Sequence, residues 1–156
     1  MKKITHLIIL LVLTIAFVSC QRNTVYSEYT TIKDGVWAID KGFSFSADIT
    51  DTISTYQISI IVRNSDKFPR QNLWLSIDRE HNDCLTTDTV NIFLLDEEGK
   101  WRGSGIGSTY DNNLIWQEKT KFPTKGEYKF TFKHLMRIEV LEGIERIGIE
   151  IIKEQI

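Results

Sequence analysis

Large apolar side chains recur at every second position along most of this chain. Phe43, Phe45, Ala47 and Ile49 share one face of such a run, and Ser44, Ser46, Asp48 and Thr50 share the other. Tyr56, Ile58, Ile60 and Val62 alternate with Gln57, Ser59, Ile61 and Arg63, and Leu73, Leu75 and Ile77 with Trp74, Ser76 and Asp78. Val90, Ile92 and Leu94 follow, then a run from Leu114 and Trp116 to Phe122, then Tyr128, Phe130 and Phe132, and finally Ile147, Ile149 and Ile151. A period of two puts one face of an extended backbone in a core and the other in water, which no helix can do. The runs are rich in β-branched and aromatic residues, as half-buried strands are.

Turn residues separate the runs: Asn64-Ser65-Asp66, Phe68-Pro69, Asp96-Glu97-Glu98-Gly99, Asp111-Asn112-Asn113 and Pro123-Thr124-Lys125-Gly126. Seven or more short strands, each with one polar face, predict an all-β chain. The expected fold is a single antiparallel β-sandwich of jelly-roll or Ig-like kind, with two sheets packed face to face. One helical turn is expected, at His134 to Arg137.

The N-terminus reads differently. Lys2 and Lys3 precede the apolar run Leu7 to Val18, which ends in Ser19-Cys20. A positive start, about twelve apolar residues and a small residue before a cut site describe a secretory signal, too short for a membrane span. Phe17-Val18-Ser19-Cys20 looks like a lipobox, cut just before a cysteine that then carries diacylglycerol and a palmitoyl chain. Residues 1–19 are thus read as signal peptide, 20–31 as a lipidated N-terminus and tether, and 32–156 as the sandwich. Gln21, not an aspartate, follows the cysteine, which favours the outer membrane; no acidic cluster follows, which favours its periplasmic face.

The whole chain has 19 basic and 21 acidic residues, and only Lys2 and Lys3 leave with the signal. A mildly acidic chain without a basic cluster is not a nucleic-acid binder. With Cys20 acylated, Cys84 has no disulfide partner. The stretch Asp78 to Cys84 mixes carboxylates, His81 and a thiol, but its spacing matches neither a zinc nor a calcium pattern, so it reads as a solvated hairpin loop. Nothing beside Cys84 would activate it as a nucleophile with His81 or His134 as base. The expectation is no catalytic residue, no metal and no cofactor beyond the acyl groups on Cys20.

Two features point to binding. The alternation places Trp74 opposite Leu73, Leu75 and Ile77, so Trp74 faces outward if they face the core. Gly103, Gly105 and Gly107 follow Trp101 at every second place, on one face of an extended segment that a tryptophan or another chain could approach closely. Trp74, Trp101, Gly103, Gly105 and Gly107 form the candidate partner or ligand surface. Arg63 and Arg137 are each expected to pair with a carboxylate such as Asp51.

An ordered series of short motifs also resembles a known family. It runs from Asn23, Val25-Tyr26 and Glu28-Tyr29 through Gly35-Val36-Trp37, Phe43-Ser44-Phe45, Arg63-Asn64, Phe68-Pro69, Asn72-Leu73 and Asp88-Thr89. It continues with Gly99-Lys100-Trp101 and the alternating glycines, Phe122-Pro123, Gly126, Tyr128, Phe130, His134, Met136-Arg137, Leu141 and Gly143-Ile144. With the lipobox in front, the series resembles gliding-motility lipoproteins of the GldH type over nearly the whole mature chain. It departs from that pattern at Arg70, where a second aromatic commonly follows the proline. The resemblance implies a non-enzymatic envelope lipoprotein, working with other envelope proteins of the gliding machinery and the linked type IX secretion machinery. A glycan-binding sandwich module of the envelope is the alternative.

Overall fold

The computed structural model describes residues 23–154, and the signal and Cys20 lie outside them. Ten strands follow one another: β1 Thr24–Thr31, β2 Val36–Ala38, β3 Phe43–Ile49, β4 Tyr56–Ser65, β5 Asn72–His81, β6 Cys84–Phe93, β7 Thr109–Thr120, β8 Gly126–His134, β9 Val140–Glu142 and β10 Ile144–Lys153. One sheet has the order β1-β10-β4-β7 and the other β3-β8-β5-β6; β2 and β9 make a small ribbon. Every pairing is antiparallel. The result is the antiparallel sandwich that the alternation predicts.

The core is built from the residues that alternate. Ile58, Val62, Ile147, Ile149 and Ile151 of one sheet and Leu73, Leu75, Ile77, Phe130 and Phe132 of the other are fully buried. Burying each such side chain stabilises the fold by about 1.5–3 kcal/mol before entropy is counted. Trp116 of β7 meets the Phe130 ring of β8 edge-on at 6.3 Å, joining the two sheets.

Three expectations are corrected. The tether does not extend to residue 31, because Thr24–Thr31 is a strand paired with β10 from Tyr26 opposite Ile151 to Thr31 opposite Arg146. It is an edge strand, held by its backbone ladder, and only Tyr26 and Thr30 are half-buried, so it carries no apolar alternation. No helical turn forms at His134 to Arg137. There the chain stays beside β5, with the Leu135 N–H donating to the Trp74 carbonyl at 2.8 Å. The one helical turn among the described residues is a 3-10 turn at Lys33–Gly35.

The third correction concerns the glycines. Gly103, Gly105 and Gly107 do not line one face of an extended run. Ser104 forms an isolated bridge with Asp111, folding the segment back on the start of β7. A side chain at Gly105 would overlap the Thr109 carbonyl, and one at Gly103 would press on the Asp111 carbonyl. Gly107, with φ of 73°, turns the chain. The room is taken by this hairpin's own backbone and not by a tryptophan. Trp101 instead stacks on Tyr110, with ring centroids 5.3 Å apart.

Candidate functional site

Leu73 and Leu75 are fully buried on β5, so the residue between them must point outward. Trp74 is 41% exposed, on the side of the sheet away from the core. Its backbone is fixed by Leu135, which donates to its carbonyl, and by Met136, whose Sδ lies 3.4 Å from the Trp74 nitrogen. Met136 is almost buried, while Leu135 remains 46% exposed. The approach to β5 is anchored by Phe68, buried next to Pro69, which leaves the following Arg70 exposed.

These pieces line a half-open cavity of about 490 Å³, formed by Arg70, Trp74, Leu135, Met136, Arg137 and Ile138. Arg70 and Arg137 take part in no ion pair among the described residues. Of the two arginines expected to pair with a carboxylate, Arg63 does so, with Asp111 rather than Asp51, and Arg137 does not among the described residues. Arg63 donates to both Asp111 oxygens, at 2.7 and 2.6 Å. Asp51 is held by Lys153, and the Lys153 ammonium, Ser54 hydroxyl and two backbone N–H groups keep its carboxyl well below the usual carboxylate range. The cavity therefore presents two free guanidinium groups beside an indole face and two apolar side chains. Guanidinium forks bind carboxylate or phosphate, and the indole offers flat apolar area. No lining side chain can take a proton at neutral pH, because guanidinium stays charged and the others are apolar or indole.

Sequence reasoning found Trp74 and missed Arg70 and the Leu135–Ile138 segment. Trp101 and Gly103–Gly107 lie at the same end of the sandwich but line a different surface, where Gly105 borders a shallow hollow with Arg63 and Asp111. Ile106 at that hairpin's tip is 94% exposed.

His81 and Cys84 sit opposite each other and line one hollow, but His134 lies apart from them, opposite Leu75. Asn82 and Asp83, both at positive φ, make a two-residue turn that sets His81 opposite Cys84. His81 stacks on Tyr128 at 3.9 Å, with Nδ1 2.8 Å from the Glu127 carbonyl and Nε2 2.6 Å from the Thr124 hydroxyl. The carbonyl only accepts, so Nδ1 donates to it, and with Nε2 on the Thr124 hydroxyl His81 is a clip between two loops. Cys84 is exposed. No group of three or more His, Cys, Asp or Glu is placed to hold a metal ion among the described residues.

His134 is buried at the end of β8, edge-on to Trp37 at 5.4 Å, and its Nε2 donates to the Trp37 carbonyl at 3.2 Å. Burial pushes its pKa below the ordinary histidine value, against a smaller upward effect of that carbonyl. The unfolded chain then binds a proton that the folded chain resists. Its contribution is fully present above about pH 6.5 and is lost as pH falls toward the lowered folded value. In urea titrations His134→Gln is expected to reduce the loss of midpoint between about pH 7 and pH 5.

A family model described as GldH lipoprotein matches residues 24–151. The chain is 31% identical over 147 residues to the gliding motility lipoprotein GldH homolog of Christiangramia forsetii, covering 89% of this chain and 90% of that protein. It is 28% identical over 151 residues to gliding motility lipoprotein GldH of Flavobacterium johnsoniae, covering 92% and 93%. A solved structure titled "Structure of infectious bursal disease virus Gx strain" aligns over 85% of this chain and 33% of its own, at 16% identity and a TM-score of 0.31, too distant to support any argument. The family match starts at the first residue of β1 and ends within β10, so it spans nearly all of the sandwich and the cavity beside Trp74. The chain belongs to the GldH lipoprotein family.

Proposed function

We propose that this protein is a non-enzymatic, acyl-anchored binding component of the gliding machinery, docking an envelope protein at the Trp74 cavity. Cys20 carries the acyl groups. More than one chain, at about 0.8 kcal/mol per buried CH₂, holds the domain stably on a bilayer. Gln21 after the cysteine supports the outer membrane, facing the periplasm. The link to type IX secretion follows from the same machinery and rests on family resemblance alone.

The observation that carries this reading is the cavity lining: an exposed tryptophan between two arginines that are unpaired among the described residues, with no proton acceptor. Tryptophan and arginine in a pocket are the residue types that dominate interface energetics. The fitting partner presents a carboxylate-bearing, partly apolar segment.

The test is a strain lacking the native protein that re-expresses the Trp74→Ala variant. Truncating such an anchor costs about 2 kcal/mol of binding, roughly 30-fold in affinity. Spreading and adhesin movement are expected to fall sharply while the variant stays folded and on the membrane. Normal movement would remove Trp74 as the contact.

The same two arginines also favour a second reading, an acidic polysaccharide stacked on Trp74. Retention on acidic polysaccharide or peptidoglycan in pull-downs, with no protein partner captured, would support it over the first.

A further inference from the structure

The strands meet the chain's exit at one end of the sandwich. There Lys153 donates its backbone N–H to the Asn23 carbonyl at 2.8 Å, and Glu154 donates to Thr55 at 2.9 Å. Ile49 pairs with Gly126 and Tyr56 with Thr120, which brings the 50–55 and 121–125 loops to that end. His81 bonds Thr124 there, adding the Asn82–Asp83 turn. Trp74 sits seven residues of extended strand away from His81, about 23 Å along β5, at the opposite end.

We propose that this end rests directly on a phospholipid surface, with Ile53 inserted among the headgroups. The inference depends on acylation at Cys20, proposed above. Three residue steps separate Cys20 from Asn23, a span of about 11 Å at full extension. Acyl chains in the bilayer hold the Cys20 backbone at the interface, so Asn23 and its neighbours lie within that distance of it.

The surface is shaped for that position. Ile53 is 84% exposed at the tip of the β3–β4 loop. The loop is fixed rather than slack. Asp51 Oδ1 accepts the Ile53 N–H at 2.8 Å, its Oδ2 accepts the Ser54 hydroxyl at 2.8 Å, and its carbonyl accepts the Tyr56 hydroxyl. Lys153 closes the same carboxylate from β10. An apolar side chain held outward on a rigid turn gains free energy only when something apolar covers it. Val25, close to Asn23 in the chain, and Leu85, beside the Asn82–Asp83 turn, are also exposed. Lys119, Lys121 and Lys125 are exposed, and none forms an ion pair among the described residues. An ammonium near a membrane surface favours anionic headgroups, while the exposed Asp83 at the same end suits the ammonium of phosphatidylethanolamine. An exposed apolar tip with lysines on the neighbouring loops, among the exposed carboxylates of Asp83, Glu118 and Glu127, suits a headgroup layer that carries both charges. Docked this way, the domain turns the Trp74 cavity away from the bilayer, toward partners in the aqueous space.

The test uses the acylated full chain with Cys84→Ser, bound to phosphatidylethanolamine–phosphatidylglycerol vesicles. A nitroxide is placed at Ile53→Cys or, separately, at Ile106→Cys at the opposite end. The label at 53 is expected to be several-fold more accessible to oxygen from the lipid phase, and several-fold less accessible to an aqueous nickel chelate, than the label at 106. Equal aqueous accessibility at both positions, in protein that floats with the vesicles, would overturn the proposal. So would a label at 53 shielded from both reagents, which means that a protein covers it. Protein that carries no acyl mass and does not float refutes the anchor itself, a failure separate from the other two.

Discussion

Trp37→Ala is expected to cost about 3–5 kcal/mol of domain stability, read as a lower urea midpoint at unchanged slope. That is a large share of the roughly 5–15 kcal/mol that a domain of this kind has in total. Trp37 is 0% exposed. Its ring meets Phe43 at 5.2 Å and His134 at 5.4 Å, both edge-on, and its indole N–H donates to the Lys41 carbonyl at 2.8 Å. Its β2 backbone pairs with Leu141 of β9 in the small ribbon. Alanine leaves a cavity, an unpaired carbonyl and a weakened ribbon together. Trp74→Ala is the contrast: its side chain is partly in water, so its stability cost should be near 1 kcal/mol or less. A Trp74 variant that loses function while keeping its midpoint has lost binding and not fold.

Cys20→Ala should have the largest effect on localisation. The substitution lies ahead of β1 in the chain, outside the described residues. The sandwich should therefore remain folded, while lipid labelling is abolished and the protein appears in the soluble fraction. Without acyl chains the remaining attraction is a single isoleucine and a few lysines, which give weak, reversible contact. A cavity for a partner acts only where the domain is held, so gliding should fail as well. A Cys20→Ala protein that stays membrane-bound and supports movement would refute the anchor and the role built on it.

The sandwich was readable because its central strands bury one face each. Leu73, Leu75 and Ile77 alternate with Trp74, Ser76 and Asp78, and that alternation alone sent Trp74 outward. Edge strand β1 was not readable. Thr24–Thr31 buries almost nothing, so its place depends on a backbone ladder with β10, about 120 residues away in sequence. The His134–Arg137 segment looked helical because it lacks alternation, yet a backbone bond to Trp74 and the Met136 thioether hold it beside β5. The glycines misled for another reason. Their spacing copies a strand face, but Gly107 reverses the chain, and the returning Thr109 carbonyl leaves no room for a side chain at Gly105. The cavity itself joins Arg70, Trp74 and Arg137 from two loops and a strand, a meeting that only tertiary pairing of β5 with β8 creates.

The docking role of that cavity is tested most directly by a benzophenone amino acid at position 74 of the acylated chain, irradiated in intact cells. Position 46, exposed on edge strand β3 of the same sheet, is the control, and adducts are identified by mass spectrometry. The predicted result is a discrete envelope-protein adduct at 74 that is absent at 46. Arg70→Glu together with Arg137→Glu should abolish it without displacing the protein from the membrane. No adduct at 74 above the level at 46, in cells that still glide, would contradict the account.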